Sequence, residues 1–128
     1  DPAKRTNGEF YKTKMFRKHP CTIWMGESFG NWSWTYHMTE YLCAEFEKRF
    51  GHPHGGKESL KSLLRTRIAL SKKLPHDMTE FAQAMPDECK VEGDAVAAYR
   101  DYYNKHKHDF ATWKTETPYW WAPESAGE

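Results

Sequence analysis

The chain has 128 residues, of which 38% are hydrophobic, 16% aromatic and 29% charged, and its net charge at pH 7 is +1. This composition excludes a disordered chain, and the absence of any apolar run longer than five residues excludes a membrane-spanning segment. The length predicts one domain, with residues 1–18 as an arm or the remnant of an upstream segment, residues 19–121 as a helical domain and residues 122–128 as a tail.

The first predicted helix begins at Pro20, because the missing proline N–H would have no partner in the first turn of a helix. Its apolar positions recur at intervals of three, four, seven, three and four residues: Phe29, Trp32, Tyr36, Cys43, Phe46 and Phe50. This spacing places them on one stripe of a helix. Gly26 and Gly30 predict a kink near Glu27 and Ser28, and Gly51 predicts a left-handed C-terminal cap.

Leucines at positions 60, 63, 64 and 70 mark a second helix of about four turns that ends before Pro75. Residues 76–93 show neither helical nor strand periodicity, which predicts a long, packed loop. This loop has either a functional role or a structural one. Asp94 is placed to cap a third helix from Ala95 to about Trp113, and residues 117–123 form an aromatic tail that we expect to fold back. The predicted fold is therefore mainly α, a compact single-domain bundle of about three helices with a long packed loop and an aromatic C-terminal tail.

The three cysteines are widely spaced and odd in number, so the sequence predicts buried thiols in a reducing compartment rather than disulfides. Four possible zinc ligands lie in or beside predicted loops, namely His52, His54, His76 and Cys89. Their spacing matches no common zinc pattern, and we predict no metal site and no cofactor. No local pattern marks a nucleophilic cysteine either.

Positive charge is concentrated in two segments of the chain. Residues 1–20 carry six basic and two acidic groups, and residues 57–73 carry six basic groups and one acidic group. A shared basic face would attract polyanions, with cations along phosphates and rings stacked on bases. The predicted nucleic-acid contacts are Lys61, Arg65, Arg100, Lys107 and Lys114 for phosphate and Trp113 or Trp120 for a base. The alternatives are a solvated face for the cations and a core or clamp role for the rings.

Glu27 and Asn31 are polar residues in a ring-rich segment, four positions apart. On one helix this spacing would present a carboxylate and an amide to one pocket. Glu27 is the candidate catalytic residue, with Asn31 and Trp34 as candidate pocket residues. A solvated pair, or a network that satisfies buried polar groups, is the alternative interpretation.

Several motifs together resemble a family of uncharacterised proteins of large bacteriophages, over about residues 19–121. The matching segments are His19–Trp24, Glu27–Ser28, Asn31, Trp34, Arg49–Gly51, His54, Phe81–Glu88, Ala98–Tyr103, Lys107, Trp113–Lys114 and Pro118–Trp121. This resemblance implies a viral origin and an intracellular location in an infected bacterium, either free or associated with the virion. It implies no particular activity.

The layout is also similar, more weakly, to phage pyrimidine-dimer DNA glycosylases of the endonuclease V type. Those small helical enzymes flip a base opposite the lesion, and an N-terminal amine attacks the sugar with help from a glutamate on the first helix. Typical members of the phage family carry an upstream helix with His and Glu, which this sequence lacks. The resemblance therefore assigns none of the glycosylases' catalytic residues to positions in this sequence.

Together these patterns predict a phage-derived DNA-binding protein related to base-excision glycosylases, with or without activity of its own. The alternative is a non-enzymatic viral interaction protein, either a virion component or an inhibitor of a host defence protein. A third interpretation is a small hydrolase or transferase that uses Glu27 or a histidine. The expected partners are DNA and a viral or host protein, and not a membrane.

Overall fold

The computed structural model describes Glu9 and residues 16–123. Within this part of the chain there are four α-helices and no strand: α1 (Pro20–Glu27), α2 (Phe29–Phe50), α3 (Lys57–Lys73) and α4 (Ala95–His106). A single 3₁₀ turn, Asp87–Cys89, lies between α3 and α4. The predicted mainly α fold is thus confirmed. None of the helices in residues 16–123 combines the length and the apolarity needed to cross a bilayer.

The contacts of the chain divide it into two compact units, with the boundary between Thr79 and Glu80. This boundary falls inside the predicted domain of residues 19–121. Unit 1 contains α1, α2 and α3, and unit 2 contains the 3₁₀ turn, α4 and the aromatic tail. Most of the predicted arm of residues 1–18 and of the predicted tail of residues 122–128 lies outside the described residues.

The break between α1 and α2 arises from the capping of α2. Helix α1 begins at Pro20 as predicted, with the His19 Nδ1 accepting from the Cys21 amide at 3.1 Å. Ser28 then adopts an extended conformation (φ −150°, ψ 159°), and its hydroxyl accepts from the Asn31 amide at 3.0 Å. This N-cap starts a new helix. The predicted kink is therefore a complete break, which raises the number of helices from about three to four.

Aromatic rings form much of the core of unit 1. Trp24, Trp32, Cys43 and Leu60 are buried there. Phe29, Trp32 and Tyr36 stack along α2 with centroids 5.7 and 5.6 Å apart. Helix α2 ends at the predicted cap, where Gly51 has φ 74° and its N–H donates to the Glu47 carbonyl at 2.8 Å.

Unit 2 is organised around α4, which begins at the predicted cap. The Asp94 carboxylate accepts from the Ala97 amide at 3.0 Å. The predicted end of this helix near Trp113 is wrong, since α4 ends at His106. The chain turns back after Lys107 so that Trp113 can pack against Trp120 and Trp121, with centroids 6.4 and 5.4 Å apart. The packing of these rings overrides the helical spacing of positions 103, 106 and 110.

Candidate functional site

In unit 1, Asn31 lies at the centre of a polar network where α1 and α2 meet. Its side chain is completely buried. The amide nitrogen donates to the Trp24 carbonyl and to the Thr79 hydroxyl, each at 2.8 Å, and the amide oxygen accepts from the Thr79 backbone N–H at 2.9 Å. The side chain therefore holds residue 79 to the α1–α2 junction, and each of its polar atoms has a partner.

Glu27 joins the same network through Thr79. The Thr79 hydroxyl donates to Glu27 Oε2 at 3.0 Å while it accepts from Asn31. Glu27 and Asn31 were expected to share one helix face, and that premise is wrong because Ser28 separates the two helices. The two side chains nevertheless meet at Thr79. Glu27 itself is exposed, so its carboxylate is accessible to solvent.

Trp34, the third predicted residue of this site, lies one turn further along α2. Its ring meets the ring of Trp24 edge to face, with centroids 5.8 Å apart, and it is partly exposed. The three predicted residues thus lie in the same region of unit 1. Asn31 has a structural role there, whereas Glu27 and Trp34 are accessible.

The second feature of unit 1 is a row of cations along the outer side of α3. Lys61, Arg65 and Lys72 are four and seven residues apart, so they occupy one stripe of the helix, and all three are exposed. Lys61 pairs with Glu58 at 3.3 Å, whereas Arg65 and Lys72 make no ion pair within the described residues. An exposed pair such as Lys61–Glu58 stabilises little and leaves the ammonium available.

Exposed aliphatic side chains lie beside these cations. Leu64 is 49% exposed and Ile68 is 70% exposed. Helix α3 also carries Lys57, Arg67 and Lys73, exposed cations that, like Lys72, were not among the predicted phosphate contacts. Their position in the basic segment, residues 57–73, could have indicated them as phosphate contacts. The helical spacing did not predict that Arg67 is exposed.

In unit 2, the predicted cations Arg100 and Lys107 contact aromatic rings. The Arg100 guanidinium lies 5.3 Å from the Tyr119 ring centroid and 5.7 Å from that of Trp120. The Lys107 ammonium lies 5.0 Å from the Tyr102 centroid and 5.2 Å from that of Phe110. These cation–π contacts fix Arg100 against the tail and Lys107 against the end of α4.

The predicted base-stacking rings of unit 2 are partly covered. Trp113 and Trp120 are half-buried and pack edge to face, with centroids 6.4 Å apart. The exposed ring of this tail is Tyr119, at 89% exposure, beside Arg100. Lys114 is exposed next to Trp113. Tyr119 is therefore the tail ring best placed to meet a ligand from solvent.

Unit 2 also brings together three possible metal ligands. Donor atoms of Glu88, Cys89 and His106 all lie within 4.8 Å of one another. Burial raises the pKa of the Cys89 thiol, and the negative charges of Asp101 and Glu88 raise it further, against an opposing effect of Lys105. Of the four ligands weighed from the sequence, only Cys89 belongs to this group. The rings of His52 and His54 instead lie edge-on to Phe46 in unit 1.

Comparison with models of known protein families, with curated proteins and with solved structures gives no match for this chain.

Proposed function

We propose that this protein binds DNA non-specifically and that the basic stripe of α3 contacts the phosphate backbone. The observation that supports the proposal is the stripe of exposed cations Lys61, Arg65 and Lys72, of which two make no ion pair within the described residues. Residues 57–73 carry a net charge of +5, from six basic groups and one acidic group. Cations free of acidic partners can replace the counterions of a polyanion without first losing a salt bridge.

The spacing of the stripe suits a nucleic-acid backbone. Lys61 and Lys72 are eleven residues apart, which corresponds to about 16 Å along a helix axis. Long, flexible side chains on this stretch can reach two or three successive phosphates of one strand. In unit 2, Arg100 and Tyr119 supply a cation and an exposed ring, the pair used to bind unstacked bases.

The test is a titration of a fluorescent DNA duplex at several salt concentrations. We expect the affinity to fall as salt rises, and the double variant Arg65→Ala/Lys72→Ala to reduce the slope of log K against log salt by about 2. The matched control is Lys90→Ala/Lys105→Ala. It removes the same charge from cations that pair with Asp87 at 2.9 Å and Asp101 at 3.0 Å. No binding at low salt, or equal weakening by both double variants, contradicts the proposal.

We also propose, from the resemblance to phage glycosylases, that bound DNA is a substrate for base excision. Base flipping would expose the target to the solvent-accessible carboxylate of Glu27. The assay treats an oligonucleotide that contains a pyrimidine dimer with the protein and then with alkali, which breaks the strand wherever a glycosidic bond has been cleaved. Glu27→Gln should abolish turnover while duplex affinity is retained. Absence of cleavage by the wild-type chain would reject the catalytic proposal and leave DNA binding intact.

A second candidate function is protein binding by an exposed stripe of α2. Trp34, Met38, Tyr41 and Leu42 follow helical spacing, and Tyr41 is 78% and Leu42 57% exposed. Exposed rings and aliphatic chains in one row are typical of interaction surfaces. This candidate predicts a specific partner cross-linked to a photoreactive residue at position 41 in infected cells, and no affinity for DNA.

A further inference from the structure

Glu88, Cys89 and His106 form a compact cluster of mixed donor atoms in unit 2, here called the Glu–Cys–His cluster. A carboxylate oxygen, the thiol sulfur and an imidazole nitrogen lie within 4.8 Å of one another. His106 Nε2 is 3.4 Å from Glu88 Oε1. Cys89 is only 1% exposed, whereas the side chains of Glu88 and His106 reach solvent. The cluster therefore lies at the surface with the sulfur at its base.

Two hydrogen-bonded connections hold the residues that carry these donors. The side-chain amide of Gln83 donates to the Val91 carbonyl at 2.6 Å and accepts from the Val91 N–H at 2.8 Å. This pair of bonds closes the loop that contains the 3₁₀ turn. The Tyr99 hydroxyl donates to the Ala82 carbonyl at 2.9 Å and accepts from the Ala84 N–H at 3.1 Å, which ties the loop to α4.

The donor types favour one class of metal ion. Thiolate and imidazole ligands suit Zn²⁺ and similar transition metals, whereas Mg²⁺ and Ca²⁺ prefer oxygen ligands only. Metal–ligand bonds of about 2.0–2.3 Å in a tetrahedron place donor atoms about 3.3–3.8 Å apart. The side chains of Glu88 and His106 are exposed, so a shift of about 1 Å toward the sulfur is accessible to them.

Binding of a divalent ion at this cluster would also balance in charge and in protons. A divalent ion would displace the Cys89 thiol proton to solvent and form a metal–sulfur bond, without any redox step. The resulting thiolate and the Glu88 carboxylate carry two negative charges, which neutralise the ion. His106 would bind as a neutral imidazole, and its nitrogen would contact the metal instead of Glu88.

A simpler arrangement elsewhere in the chain shows what distinguishes this cluster. On α2, His37 and Glu40 also form a histidine–carboxylate pair, at 2.8 Å, and both are exposed. No third donor completes that pair: among the described residues, Glu88, Cys89 and His106 are the one group of three or more potential metal ligands whose donor atoms lie this close together. The His37–Glu40 pair is an ordinary surface contact and provides a matched control.

We propose that Glu88, Cys89 and His106 bind a divalent transition-metal ion of the zinc class, with the fourth tetrahedral position open to water or another ligand. Three protein ligands and one open position are the pattern of reactive zinc sites rather than of closed structural ones. This proposal does not depend on DNA binding.

The test is a titration of the untagged full chain with Co²⁺, which reports its ligands by colour. The chain carries Cys21→Ser, because Cys21 is exposed and would bind metal on its own. We expect saturation at one equivalent, tetrahedral d–d bands and a thiolate-to-cobalt charge-transfer band. Zn²⁺ should then displace the cobalt and remove the colour.

The variants assign the ligands. Cys89→Ser should abolish the charge-transfer band. His106→Gln and Glu88→Gln should each weaken metal binding by more than the roughly tenfold that loss of an outer-shell partner costs, because they remove direct ligands. His37→Gln and Cys43→Ser should leave binding unchanged. If Cys89→Ser does not fold, the two exposed positions, 88 and 106, still decide the question. Absence of saturable binding, or equal affinities in His106→Gln and His37→Gln, would overturn the proposal.

Discussion

At the scale of single residues, Gly30 shows how closely two segments approach in unit 1. Its N–H donates to the His76 carbonyl at 3.0 Å, and the neighbouring Phe29 N–H donates to the Pro75 carbonyl at 2.7 Å. A Cβ at position 30 would lie 2.7 Å from the His76 oxygen and 2.9 Å from the Met78 nitrogen. Both atoms belong to the backbone and cannot rotate away. Only glycine therefore fits at this position.

We expect Gly30→Ala to lower the free energy of unfolding by about 1–3 kcal/mol, because the added methyl group forces the two backbones apart. Helix propensity alone predicts the opposite sign, a gain of about 1 kcal/mol. The matched control is Gly26→Ala in α1, where a Cβ would meet nothing within 4 Å. That variant should gain up to about 1 kcal/mol. Urea denaturation measures both, and a Gly30→Ala variant as stable as the wild type contradicts the close approach.

The Glu27–Asn31 pair shows which part of a site can be predicted from spacing. The four-residue spacing predicted that Glu27 and Asn31 share one helix face, but the two residues lie on different helices and are joined instead through Thr79. Their shared partner, Thr79, lies 48 residues beyond Asn31. No periodicity connects positions so far apart, and the hydroxyl that joins the two side chains becomes visible only in the fold.

At the scale of elements, the aromatic tail is held to α4 by one asparagine and one arginine. Asn104 donates to the Trp120 carbonyl at 3.3 Å and accepts from the Ala122 N–H at 3.0 Å. Arg100, one turn earlier, lies against the Tyr119 and Trp120 rings. The prediction that the tail rings fold back was possible because a segment with two prolines and three rings cannot continue a helix. The residues of α4 that bind the tail were not predictable, since Asn104 belongs to no distinctive sequence motif.

We expect Asn104→Ala to release the tail from α4, at a cost of about 1 kcal/mol in unfolding free energy, because two backbone groups lose their partner. The measurements are the wavelength of tryptophan emission and the rate of proteolytic cleavage within residues 113–123. Emission should shift to longer wavelength and cleavage should accelerate. The conservative variant Asn104→Asp keeps the acceptor for Ala122 and should show a smaller change. Unchanged cleavage in Asn104→Ala would show that ring packing alone holds the tail.

At the scale of the whole molecule, the near-zero net charge hides segments of opposite sign. Residues 57–73 carry +5, whereas residues 74–93 carry five acids against Lys90. Part of this acidity is locally compensated, since a hydrogen bond from Lys90, together with its charge, lowers the pKa of Asp87. The basic stripe of α3 was readable from charge and spacing. The Glu–Cys–His cluster was not, because its donors meet only after a long loop folds against a helix.

Each unit of the molecule contains one buried thiol, and this makes their stabilities separately measurable. Cys43 in unit 1 and Cys89 in unit 2 are buried, whereas Cys21 is exposed. A buried thiol reacts only after local opening, so its alkylation rate reports the free energy of that opening.

We expect Cys21 to be alkylated first, and Cys43 and Cys89 to react at least about a hundredfold more slowly, which corresponds to about 2.7 kcal/mol. Mass spectrometry of digested samples follows each site. Gly30→Ala strains the packing of unit 1, so it should increase the alkylation rate of Cys43 by a larger factor than that of Cys89. Equal acceleration of both thiols would mean that the two units open together. A thiol at position 43 or 89 as reactive as Cys21 would contradict its burial, because solvent access would then require no opening.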